Sequence, residues 1–225
     1  MGESEEEIAG IFRNYAEINL GAFCQKCRKQ FFDQEVHAEI GKAMNYPFAL
    51  LMLQRAFRVE DEVNVNWVPT YDEAVEDLEC AFFLCANCFY KQGLQILRNV
   101  IELSVVHAYF HLDEDAFEQW QNDPGYRLPY VRGNGGMLCK LRRADWIDDR
   151  VYESGYDLYG RLNKCVHASP ARMGSRRGEM DVEKLTEFCT VSSEVGEFVI
   201  NLTLHLTVNW NSQPIDTEGI TDIRF

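Results

Sequence analysis

The 225 residues are 46% hydrophobic, 26% charged and 12% aromatic, which excludes disordered, collagenous and low-complexity classes and suits a chain able to bury a core unaided. A formal net charge of −14 argues against bulk, non-specific nucleic-acid binding, and eight cysteines are few for a disulfide scaffold of this length, so thiols or metal ligands are expected. The most apolar run, Ala81 to Tyr90, is far shorter than the roughly 20 residues a bilayer demands, and the acidic opening MGESEEEIAG lacks the positive charge of a signal peptide. The expectation is a cytoplasmic protein with no membrane contact.

Helical periodicity dominates the chain. Ser4 with Glu7 forms a capping box for a helix to about Leu20, with Ile8, Ile11, Phe12, Tyr15 and Ile18 on one face. Gly21 ends it, and a short loop bearing Cys24 and Cys27 is expected next. A second helix is expected from about Asp33 to Arg58, bent at Pro47. Val59 to Pro69 alternates polar and apolar residues and reads as a linker or one short edge strand. This places a boundary between an N-terminal helical extension with its CxxC loop, residues 1–66, and a second unit over 67–225.

Thr70 with Glu73 is another capping box, starting a helix to about Tyr90; Gly93 then marks a tight turn or a helical glycine. The helix from Gln92 to Leu112 carries Leu94, Leu97, Val100, Ile101, Leu103, Val105 and Ala108, too broad a stripe for a surface helix. Asp113 to Trp120 is a short helix ended by Asp123-Pro124-Gly125. After a loop containing Gly133, Gly135 and Gly136 come a short helix with Met137, Leu138 and Leu141, a core helix from Asp148 to Ala168, and a long final helix from Asp181 to about Val208. The fold class expected is all-α, an antiparallel helical bundle with an N-terminal helical extension.

Charge is unevenly spread. Between Arg127 and Arg177 lie 11 Lys/Arg against 5 Asp/Glu, a basic segment in an acidic chain. Within it, Tyr159 to Pro170 reads YGRLNKCVHASP. Pro170 disfavours helix at Ser169, so His167 falls in a last helical turn, where the helix dipole favours the imidazolium. Asn163 precedes His167 by four residues and shares its face. Arg161 precedes it by six, about 240° around a regular helix, so the two meet only through local unwinding or across a pair of subunits.

Arg161-x5-His167 resembles the Arg-x(4–6)-His signature of HEPN domains, helical bundles that include metal-independent ribonucleases of toxin and antiviral systems. The segments LRNVIEL (Leu97 to Leu103), FEQW (Phe117 to Trp120) before a Pro/Gly loop, and LNKCVHAS before a helix break also look HEPN-like. The resemblance spans about Thr70 to Trp210. Many active members carry a polar residue directly after the arginine; here it is Leu162, with Asn163 one step later. The resemblance implies a homodimer with a composite site, where His167 is general base or acid, Arg161 holds the phosphate and Asn163 orients either. The products would be a 2′,3′-cyclic phosphate and a 5′-hydroxyl. A toxin or phage-defence endoribonuclease is therefore expected, with a non-catalytic protein- or RNA-binding regulatory module as the alternative. An antitoxin or regulatory protein is a further expected partner.

Lys140, Arg142 and Arg143 before the motif, with Arg172, Arg176 and Arg177 after it, are the expected RNA contacts; an acidic partner would suit them too. Arg98 and Glu102 lie four apart on the most apolar helix, either as a buried ion pair or beside His167 with Glu102 setting its tautomer. Cys24 and Cys27 have the spacing of half a zinc site, with His37, or Cys85 and Cys88, as completing ligands; otherwise no cofactor is expected. His107 and His111 have helical metal-pair spacing, but partly exposed histidines at a helix end need no metal. GNGG (Gly133 to Gly136) lacks the strand and lysine of a phosphate-binding loop, and no GxSxG elbow exists.

Overall fold

The computed structural model describes residues 21–32, 37–60, 69–166 and 181–210. These form eight helices and no strand: α1 (Gly21–Phe32), α2 (His37–Glu60), α3 (Pro69–Ala86), α4 (Tyr90–Leu112), α5 (Glu114–Asn122), α6 (Met137–Arg143), α7 (Asp149–Val166) and α8 (Val182–Trp210). The all-α fold expected from the periodicity is present, packed around one apolar core. The expected helix over Ser4 to Leu20 lies outside the described residues, as does 61–68 of the expected Val59–Pro69 linker, whose ends at Val59, Glu60 and Pro69 are helical.

Helix α4 is the centre. Its Leu97, Val100, Ile101, Val105 and Ala108 are all fully buried, as its broad apolar stripe requires, and it packs against α3, α6, α7 and α8. Gly93 is a helical glycine in its first turn: a β-carbon there would stand 2.9 Å from the Phe188 ring of α8 and 3.2 Å from the Ala81 carbonyl of α3. The turn between α3 and α4 falls earlier than expected, at Asn87-Cys88. Cys88 has φ 63°, its N–H donates to the Cys85 carbonyl at 2.8 Å, and the Phe89 N–H donates to the Leu84 carbonyl at 2.9 Å. That is a Schellman ending with cysteine in the left-handed position that glycine usually fills.

Two other expectations change. The cysteine-bearing loop is helical: Cys24 and Cys27 both lie within α1, and Cys27 is fully buried. Thr70 does not cap α3 from outside, because that helix already includes Pro69 and Thr70 is buried in its first turn. Elsewhere aspartates cap as short acceptors should. Asp113 takes the Ala116 N–H at 3.0 Å, Asp148 the Val151 N–H at 2.8 Å, and Asp181 the Lys184 N–H at 3.1 Å. The Lys184 N–H bond is the leading reason the Asp181 carboxyl is held below its usual value.

The N-terminal helices share the core. Ile40, Tyr46, Leu50 and Leu53 of α2 belong to the same buried cluster as α4 and α8. Tyr46 sits against Gly196 so closely that a β-carbon on Gly196 would overlap the tyrosine's Cβ and Cγ.

Candidate functional site

Between α7 and α8 lies a cleft of about 620 Å³, floored by Val151, Leu158 and Phe198 and rimmed by charge. Its cations are Arg132, Arg150, Arg161 and Lys164; its carboxylates are Asp157, Glu194 and Glu197. The α7 contributors recur every three or four residues, so one helical stripe lines the cleft. Gly155 lets the helices approach, since a β-carbon there would meet the Phe198 ring at 2.5 Å.

Two guanidinium groups are engaged by α8. Arg161 donates to Glu194, and Arg150 lies 3.6 Å from Glu197; all four side chains are partly exposed. Arg132 is held differently. Gly133, at φ 102°, and Gly136, where a β-carbon would stand 2.6 Å from the Arg132 carbonyl, fold the loop back so that the Tyr130 carbonyl accepts the Met137 N–H at 2.8 Å. This carries the Arg132 guanidinium to 3.8 Å above the Tyr156 ring and into the space that a β-carbon on Gly160 would take. Its Nε is buried with no hydrogen-bond partner among the described residues.

The expected catalytic set is only partly in view. Arg161 is exposed on the cleft, Leu162 beside it points into the core at 1% exposure, and Asn163 is half-buried and outside the cleft lining. The described residues therefore do not bring Arg161 and Asn163 together on one surface. His167 lies outside the described residues, as do Arg172, Arg176 and Arg177.

The remaining expected sites have structural partners. Lys140 donates to the Tyr109 hydroxyl at 2.8 Å, and Arg142 pairs with Asp149 at 2.6 Å while covering the Tyr152 ring. Arg143 is exposed. Arg98 and Glu102 do pair, at 3.1 Å, but half-exposed rather than buried: the pair sits at the α4–α7 seam, where Arg98 also donates to the Tyr159 hydroxyl at 2.8 Å. Burial, then the Glu102 charge, raises the Tyr159 phenol above its usual value.

Among the described residues no three His, Cys, Asp or Glu side chains gather as a metal site. Cys27 is walled into the core and Cys85 likewise, and burial pushes the Cys85 thiol far above its ordinary range. His107 is not partly exposed as expected but buried, with its Nε2 3.3 Å from that of His111. Burial lowers both: His107 well below its usual value, with His111 adding to the effect, and His111 to about 4.

Arg132, Arg150 and Lys164 were not among the residues the motif singled out. The signal was present as Tyr156 and Gly160, spaced four apart on α7, but nothing in the sequence links that pair to a loop arginine. No helix of the described residues is long and apolar enough to cross a membrane. No family model, curated protein or solved structure matches the chain.

Proposed function

We propose that this chain is a HEPN-like helical module that binds RNA through the C-terminal end of α7, with Arg161 as a phosphate contact and the Arg172, Arg176 and Arg177 segment extending the footprint. The single observation that carries this reading is the exposed Arg161 guanidinium, two turns or less from the end of α7, inside a basic segment of an acidic chain. A planar, permanently charged donor suits a phosphodiester. Glu194 is then a resident stand-in for that anion, which RNA displaces. Anisotropy titration of labelled single-stranded RNA tests this: binding should weaken in Arg161→Ala and steeply with salt.

A second reading adds cleavage. It is favoured by the exposure of Arg161 on the same terminal stretch of α7 that runs into His167. In a homodimer, Arg161 of one copy would grip the phosphate while His167 of the other takes the ribose 2′-hydroxyl proton, so that the oxygen attacks the neighbouring phosphorus and the 5′-oxygen leaves with a proton. No metal takes part in these steps. A toxin or defence role, with a neutralising protein partner, would follow from that activity.

A further inference from the structure

We infer that the part of the α7–α8 cleft lined by Arg132 is a binding site for a small phosphomonoester with a hydroxylated body, of sugar-phosphate size. This goes beyond the RNA reading and does not rest on it. The argument begins with a cost. Arg132 is half-buried, its Nε is out of contact with water, and no carboxylate pairs with it among the described residues. Partly desolvating a guanidinium with no counter-charge is unfavourable, and the Tyr156 face returns only part of that cost.

The sequence nonetheless builds a holder for it. Gly160 leaves open the space that the guanidinium fills: a β-carbon there would stand 2.8 Å from its Cζ. Gly136 is needed because a side chain would push the loop off its turn. A flat cation clamped between a ring and a bare stretch of helix is preorganised, so an incoming oxyanion is bound without the entropy cost of ordering the arginine.

The surroundings narrow the ligand. Arg161 and Arg150 each face a carboxylate of α8, Glu194 and Glu197, and Lys164 is a further cation lining the cleft. Two cations of this kind match the charge of a phosphate monoester, one as a bidentate fork and one as a point charge. Asp157, Ser154 and Asn201 complete the lining with acceptors and neutral donors, groups that hold hydroxyls and repel a second phosphate. A cavity of about 620 Å³ is ample for a sugar phosphate and within the ordinary range for small-molecule sites.

The test is calorimetric titration of the full chain with ribose 5-phosphate, and separately with ribose and with inorganic phosphate. The expected result is saturable binding of ribose 5-phosphate, weaker binding of phosphate and none of ribose. Arg132→Ala, Arg132→Lys and the surface variant Lys164→Ala should each weaken it at least tenfold. Circular dichroism melts confirm that each variant is folded; Lys164→Ala carries the test if the Arg132 variants are not. No saturable binding to the wild type, or equal affinity in folded Arg132→Ala and Lys164→Ala, overturns the proposal. Ribose binding as tightly as ribose 5-phosphate overturns it too. Loss of RNA binding with ribose 5-phosphate binding intact would strike the RNA reading alone.

Discussion

The Arg161 guanidinium of α7 donates to the Glu194 carboxylate of α8, and both line the charged cleft between the two helices. The pair is solvent-accessible on both sides, so its contribution to stability is small, about 0–1 kcal/mol. It bears on binding as well, because any phosphate reaching Arg161 must displace a carboxylate. Glu194→Gln is expected to leave the melting temperature nearly unchanged and to tighten RNA binding about two- to fivefold at low salt, a difference of up to about 1 kcal/mol. Anisotropy titrations of the two proteins side by side check it.

Gly196 should be intolerant of a side chain. Tyr46 of α2 occupies the space, and the overlap involves the root of the tyrosine, which cannot swing away. Gly196→Ala should therefore destabilise the chain by about 1–3 kcal/mol despite alanine's better helix propensity. Urea unfolding would read this as a lower midpoint at unchanged slope.

Cys88 predicts the opposite sign. A non-glycine residue at φ 63° carries a strain of about 1 kcal/mol, and the position closes a Schellman turn that glycine fills without it. Cys88→Gly should stabilise by about 0.5–1 kcal/mol, measured by the same unfolding experiment. Cys88→Val, β-branched at a positive φ, should destabilise.

The buried His107–His111 pair makes stability depend on acid. Both imidazoles are held neutral in the fold, His111 down to about 4, while in the unfolded chain they take protons near their usual 6.5. Between these values the unfolded state binds more protons than the native state, so stability is full above about pH 6.5 and declines as pH falls toward 4. Thermal melts across this range should show that decline. His111→Gln, which cannot charge, should make it shallower.

How far the sequence carried varied with the kind of signal. The helix α4 was legible because seven apolar positions make a stripe too broad for a surface helix, and Asp148 and Asp181 marked their helix starts within a residue. The α3–α4 turn was placed a few residues late, with Gly93 open to either a turn or a helical glycine; it is the latter, serving packing against Phe188 and Ala81, while the turn falls on a cysteine that no turn preference favours. Cys24 and Cys27 read as a loop because Gly21 looked like a helix end, yet Gly21 opens α1, which places Cys27 in the core. The cleft was illegible for a different reason. Its distinguishing contact joins Arg132, Tyr156 and Gly160 across a loop and a helix, a tertiary juxtaposition with no sequence period.

The most direct test of the account is RNA binding by the wild type, Arg161→Ala and His167→Ala, titrated at salt from about 50 to about 200 mM with chelator present. The account predicts saturable wild-type binding that falls steeply with salt, and in Arg161→Ala a weaker affinity with a log–log slope shallower by about 1. Should a 2′,3′-cyclic phosphate accumulate with the wild type and not with His167→Ala, the cleavage reading stands as well. Wild-type protein that binds no RNA, or binding indifferent to Arg161, would contradict it.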